Sequence, residues 1–315
     1  MQQKGENRLK YIKYGSGAVV LAALLWSLDG LLRRHLYSLP APVIVFWEHL
    51  FGFILLVPFI IASWKAFKKL TRKQWFAIVG VSFLSGAVGT IFYTAALGRI
   101  QFIPFSVVVL LQQLNPIFAI SAAAILLREP LGKRFFALSG VALAAGYAVS
   151  FPDLTVNLST GTGTVIAALF AVGAAASWGT STAFSKYALK DTPSLHITAL
   201  RFGITPIFAL MFVFLSGSTS ALGTLSFDQF KYIVAITFST GLVALAIYYF
   251  GLKRVLASRS AILELVWPLS AVVVGYVFLH QGLTVTQAIG AVVLTGTIYL
   301  IAKDANNPGT LSKKH

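Results

Sequence analysis

Apolar runs of about 20 residues, the length a helix needs to cross roughly 30 Å of hydrocarbon, recur from one end of the chain to the other. Ten fall at 15–36, 43–64, 75–97, 104–127, 135–151, 162–185, 195–215, 230–250, 260–279 and 286–302. Lipid offers no hydrogen bonds to a backbone, so such runs must be helical or closed into a barrel; their length favours helices. Only 11% of residues are charged and 57% are hydrophobic, whereas soluble domains carry about 25% charge. The expected fold class is therefore all-α integral membrane, with ten transmembrane helices.

A net charge of +16 invites a nucleic-acid reading, but the Lys and Arg residues sit in short bursts between apolar runs rather than along one face. No nucleic-acid partner is expected. With the N-terminus inside, 20 of the 25 Lys and Arg fall in cytoplasmic segments, at 1–14, 65–73, 128–134, 186–190, 253–259 and beyond 302. Four stay outside (Arg33, Arg34, Arg99 and Lys231), and Arg201 lies within a span. That asymmetry predicts a multi-pass protein of the cell inner (plasma) membrane with both termini cytoplasmic. Residues 1–14, with Lys4, Arg8, Lys10 and Lys13, imitate the start of a signal peptide; Asp29 and the nine runs that follow argue for retention.

The two halves repeat. Trp26 precedes Trp178 by 152 residues, as His49 precedes Arg201 and Pro116 precedes Pro268. Tyr93, Leu97 and Arg99 recur 155 residues on as Tyr248, Leu252 and Arg254. Because the repeating unit holds five spans, an odd number, the second copy enters the membrane from the opposite side, giving two inverted-topology five-helix repeats. The expected organisation is a cytoplasmic tail at 1–14, repeats at 15–152 and 161–302, and a cytoplasmic tail at 303–315. The short fifth and tenth runs carry Gly140, Gly146, Gly290 and Gly296, read as sites of close helix packing.

Residues 111–132, LQQLNPIFAISAAAILLREPLG, and 263–282, LELVWPLSAVVVGYVFLHQG, resemble the end portions of EamA repeats in the drug/metabolite transporter superfamily. The likeness spans roughly 15–302, although His280 and Gln281 stand where the first copy has Arg128 and Glu129. The resemblance implies a central cavity lined by spans one to four and six to nine, with five and ten peripheral, and alternating access by rocking around it. It also implies a small organic solute, such as an amino acid, as cargo.

Ionisable and polar groups inside spans are costly and tend to face a protein interior or a wet cavity. Asp29 and Arg33 stand four apart on one helix and can neutralise each other, or Asp29 can face the cavity. Glu48 and His49 are adjacent, about 100° apart around a helix, which predicts that one of them faces the cavity; both suit proton work. Arg201 can bind a substrate carboxylate bidentately or snorkel to the headgroups. Gln112, Gln113 and Asn115 cluster before Pro116, and Glu264 before Pro268, where a missing amide favours a kink; substrate contact and interhelical bonding are the competing readings. Trp178 and Trp267, with Trp26, are read as cavity walls or as packing. Pro116 and Pro268 are the hinge candidates.

With no Cys there is no thiolate site, and zinc, nucleophile-elbow, P-loop and Rossmann motifs are all missing. No cofactor, metal site or enzymatic activity is expected. The expected partners are a small-molecule substrate, the lipid bilayer and protons as candidate coupling ions, in a monomer or homodimer. A secondary transporter is the main reading, with export as the direction that the family resemblance implies; a drug/cation efflux permease, a channel or a scaffold are the alternatives.

Overall fold

The structure is a computed structural model, and it describes residues 2–99, 111–112, 114–150, 154, 162–267, 269–270 and 284–305. Gln113 and Pro268, both named above, lie outside the described residues. Among the described residues all regular structure is helical. Six segments are long and apolar enough to cross a membrane: Tyr14–Leu36, Ala41–Ala62, Arg72–Leu97, Val165–Ala188, Ser194–Leu215 and Phe227–Leu252. They coincide with the first, second, third, sixth, seventh and eighth of the ten runs.

In the first half the elements are α1 (Gln2–Trp26), α2 (Asp29–Arg33), α3 (Ala41–Ala62), α4 (Trp64–Phe67), α5 (Arg72–Val81), a π-helix (Ser82–Gly89), α6 (Thr90–Leu97), α7 (Asn115–Leu126) and α8 (Lys133–Ser150). The second half has α9 (Thr162–Ala188), α10 (Ser194–Leu215), α11 (Phe227–Ile236), a second π-helix (Thr237–Gly241), α12 (Leu242–Leu252), α13 (Ala257–Leu263) and α14 (Val285–Ala305).

Local chemistry repeats between the halves as faithfully as hydropathy does. Thr71 caps α5, with its hydroxyl accepting from the Gln74 amide and the Gln74 side chain returning to the Thr71 backbone. Ser226 and Gln229, 155 residues later, make the same reciprocal box at α11. Each capping Gln then ties its helix to the opposite half: Gln74 Nε2 donates to Thr192 Oγ1 at 3.1 Å, and Gln229 Nε2 to Ser38 Oγ at 3.0 Å. Pro40 and Pro193 precede α3 and α10, their φ of −60° and −59° suited to a helix start. Both capped helices run into π-helices, whose i→i+5 pattern offsets the ladder and frees carbonyls for side chains.

The halves interlock. The helices α3 and α10 pack on each other, as do α8 and α14, and α1 lies along α12 while α9 lies along α7 and α5–α6. The first two are contacts between equivalent helices, and the pairing of α1 with α12 matches that of α9 with α6. Gly290 lets α14 approach α8: a Cβ there would lie 2.9 Å from Ala148 Cβ and 3.0 Å from Val149 N. The expected packing role of Gly140 and Gly296 is corrected: both are exposed, and among the described residues a Cβ at either would meet nothing within 4 Å.

Hydrogen bonds gather the basic loops at one end of the bundle. Gln74 reaches the Lys190 carbonyl at 2.9 Å, Lys253 Nζ the Thr192 carbonyl at 2.8 Å, and Lys186 Nζ the carbonyls of Leu252, Lys253 and Val255 at 2.7, 3.0 and 2.5 Å. An ammonium among the last carbonyls of α12 compensates the negative end of that helix. Glu129 does the converse at the start of α13, accepting from Ala257 N, Ser258 N and Ser258 Oγ at 2.7, 3.1 and 2.6 Å. Glu129, in the first of the two segments that resemble EamA repeat ends, is thus a helix cap across the two halves.

Candidate functional site

A single stretch of α1–α2 opens the site. After Trp26 the helix is interrupted at Ser27 and Leu28 and restarts at Asp29, so the break sits beside the first charged residue within an apolar run. Asp29 and Arg33 pair as their spacing suggests, Nε to Oδ2 at 2.7 Å and Nη2 to Oδ1 at 3.1 Å. The same Nη2 also reaches Glu48 Oε2 on α3 at 3.0 Å, and Nη1 donates to Thr94 Oγ1 on α6 at 3.2 Å. From the second half, Thr240 Oγ1 donates to Asp29 Oδ1 at 2.6 Å. Arg33, only 3% exposed, therefore holds two carboxylates and joins the first three spans, while Asp29 brings in the eighth. Glu48 has no Lys or Arg on its own helix, and nothing in the order of residues signals that Arg33 supplies the cation across space.

The positions equivalent to this cluster form a second one around Arg201. Arg201 Nη1 donates to the Tyr249 hydroxyl at 2.9 Å and Nη2 to Ser85 Oγ at 2.8 Å, and Tyr249 Oη shares a hydrogen bond with Ser185 Oγ at 3.2 Å. By the two repeat offsets, Ser185 answers Arg33, Tyr249 answers Thr94 and Ser85 answers Thr240. Arg201 is buried, so the snorkelling alternative is set aside. Both Glu48 and His49 border the cavity, which corrects the expectation that only one would. The cavity subtends a wide sector of α3: Glu48 leans to Arg33, while His49 turns to stack on Phe202 with centroids 5.0 Å apart and its Nδ1 lies 2.9 Å from the Val45 carbonyl.

Matched aromatic walls complete the site. Trp26 Nε1 donates to the Thr240 carbonyl at 2.9 Å and Trp178 Nε1 to the Ser85 carbonyl at 3.1 Å; each bond enters the π-helix of the other half. Trp26 packs on Tyr248 at 5.0 Å and Trp178 on Tyr93 at 5.1 Å between centroids. Glu264 accepts from Tyr248 Oη at 2.8 Å and from Ser260 Oγ at 3.2 Å. Gln112 spends its amide on the Ala171 carbonyl at 2.8 Å, an interhelical bond. A turn at Leu114 precedes Pro116, which sits in the first turn of α7.

Asp29, Glu48, His49, Gln112, Asn115, Pro116, Trp178, Arg201, Glu264 and Trp267 all line one cavity of about 190 Å³. Every candidate named from sequence that falls among the described residues is brought together there. The residues that sequence reading missed are hydroxyl groups: Ser85, Thr94, Thr240, Tyr248 and Ser185. Their signal was the repeat itself, since Ser85 and Thr240 stand 155 residues apart, as do Thr94 and Tyr249. Among the described residues no group of His, Cys, Asp and Glu is arranged to hold a metal ion.

The sequence model of the EamA-like transporter family matches residues 13–151 and again 165–303. The riboflavin transporter ImpX of Fusobacterium nucleatum subsp. nucleatum is 32% identical over 302 residues, covering 92% of this chain and 97% of that protein. A protein of known crystal structure superposes with a TM-score of 0.72 at 17% identity, covering 92% of this chain and 96% of the other; at that identity the likeness concerns the fold alone.

Proposed function

The chain belongs to the EamA-like transporter family, and from that footing we propose that it is a secondary active transporter that moves a small organic solute by alternating access around the central cavity. The observation that carries this reading is the convergence of both halves on one cavity with equivalent walls, Trp26–Tyr248 and Trp178–Tyr93. Two structurally equivalent halves meeting at a midplane site can exchange which side of the site is open by rocking against each other. The ten-span, inverted-repeat arrangement, the repeats at 15–152 and 161–302, the inner-membrane location and the cytoplasmic placement of both termini all belong to this proposal. The gathering of the basic loops at one end of the bundle supports that orientation.

For the cargo we favour a flavin-like, planar heteroaromatic solute. A riboflavin transporter is 32% identical, and Trp26, Trp178, Trp267 and the His49–Phe202 stack offer flat faces to a ring. The cavity volume of about 190 Å³ is below the roughly 300–1,000 Å³ of most small-molecule sites, so a tricyclic ring enters only as the halves part. Amino acids are the second reading, supported by Arg201 and Glu264 as partners for a zwitterion. Pro116 and Pro268 serve as hinges, and protons are the coupling ion through Glu264. Flux of riboflavin and of aromatic amino acids into proteoliposomes, with and without a proton gradient, tests cargo and coupling together.

A further inference from the structure

Two guanidinium groups border the cavity, and the fold treats them differently. Arg33 is heavily engaged: two carboxylates and a threonine hydroxyl take four of its five N–H donors. Arg201 is 8% exposed, and among the described residues its hydrogen bonds go only to the neutral hydroxyls of Tyr249 and Ser85. Its Nε is buried with no acceptor, and among the described residues no carboxylate stands within 4 Å of it. A guanidinium presents five N–H donors in a rigid fork. The Nε–H and a neighbouring Nη–H therefore form an unspent two-pronged edge on a residue that lines the cavity.

The partners already taken decide what that edge can meet. Asp29 and Glu48 are spent on Arg33, and Glu264 on the Tyr248 and Ser260 hydroxyls. Among the described residues the Arg201 edge therefore lacks an acceptor. We infer that Arg201 docks an uncharged heteroaromatic edge of the transported solute, one on which a carbonyl oxygen and a ring nitrogen accept hydrogen bonds side by side. Arg reads that pattern in the O6/N7 edge of guanine, where planar fork geometry confers selectivity that a lysine point charge lacks. A flavin ring presents it twice, at its O4/N5 and O2/N1 edges. Phe202, which follows Arg201 in sequence, stacks on His49 with ring centroids 5.0 Å apart, and both residues line the cavity with Arg201. The inference rests on the flavin-like reading of the cargo, and the Arg33 cluster is left as the staple that fixes the site.

The test uses the purified full-length protein and measures riboflavin binding by flavin fluorescence, with tryptophan as the carboxylate-bearing competitor. A planar acceptor edge predicts that Arg201→Lys weakens riboflavin binding roughly 10- to 100-fold, the loss expected when charge-assisted hydrogen bonds lose their geometry, and that Arg201→Gln, which keeps a planar amide donor, weakens it less than Arg201→Lys. On the unaltered protein, 5-deazariboflavin or 1-deazariboflavin, each lacking one ring-nitrogen acceptor, binds at least about 10-fold more weakly than riboflavin. Riboflavin binding by Arg201→Lys at the unaltered strength, or equal binding of riboflavin and both deaza analogues, overturns the role of Arg201 while leaving the flavin reading intact. Saturable binding of tryptophan with none of riboflavin overturns both. Should the Arg201 variants fail to fold, the deaza analogues decide the matter alone.

Discussion

Trp26 and Trp178 donate the same hydrogen bond from opposite halves of the molecule, Trp26 to the Thr240 carbonyl at 2.9 Å and Trp178 to the Ser85 carbonyl at 3.1 Å. Each accepting carbonyl lies in a π-helix or on the residue pair that the 155-residue offset makes equivalent. A lone tryptophan in a membrane helix can be filler. Two that satisfy carbonyls released by matching π-helices are joints of the fold.

Trp26→Phe and Trp178→Phe keep ring area but remove one donor each, from the Thr240 carbonyl and from the Ser85 carbonyl, the latter of which also accepts from Thr90 Oγ1 at 2.9 Å. Each is expected to cost about 1 kcal/mol of stability, with the two losses alike and nearly additive because the joints share no partner. Thermal unfolding in detergent of the singles and the double measures this; a cost confined to one of the two would deny their equivalence.

The Arg33 cluster predicts an asymmetric pair of substitutions. Arg33→Met strands Asp29 and Glu48 together in the interior and should lose roughly 3–5 kcal/mol. Glu48→Gln leaves Asp29 and Arg33 paired and should lose less, about 1–3 kcal/mol. If Glu48→Gln proves the more damaging of the two, the clamp is misassigned.

Coupling separates the two carboxylates. Glu48 is held by Arg33 at 3.0 Å, whereas among the described residues Glu264 receives only the Tyr248 and Ser260 hydroxyls and lines the cavity. Glu264→Gln is expected to abolish uptake driven by a pH gradient while preserving solute exchange, since exchange moves no net proton. Full pH-driven uptake by this variant would place the coupling site elsewhere.

Much of this was legible in the sequence because a membrane restricts the choices. The apolar runs gave helices, and their repetition gave two equivalent halves. The ionisable residues inside spans marked the cavity, because burying them elsewhere is too costly. Distances across the fold were beyond reach: the Asp29–Arg33 spacing shows a pair on one helix, yet nothing in the order of residues tells that Glu48 and Thr94 complete it. Hydroxyl groups such as Ser85 and Thr240 were overlooked because small polar residues are common in spans, and their meaning appears only when the repeat offset is applied to them. Glycine-rich runs misled for the same local reason, since Gly290 meets a neighbouring helix and Gly140 and Gly296 do not.

Orientation follows from cysteine accessibility, which the native absence of Cys makes clean. Thr71→Cys, at the end of the bundle where the basic loops gather, should resist an impermeant thiol reagent in intact cells. Ser218→Cys, in the loop between α10 and α11, should react. The opposite pattern would reverse the molecule in the membrane.

The most direct measurement of transport through the cavity is counterflow in proteoliposomes, with protein amount matched between samples. Riboflavin uptake should be saturable and should accelerate when the vesicles are preloaded with riboflavin, because a loaded carrier returns faster than an empty one; aromatic amino acids tested in the same way would show the second cargo reading. Uptake that rises linearly with concentration and ignores preloading, for every solute tested, would contradict alternating access around this cavity.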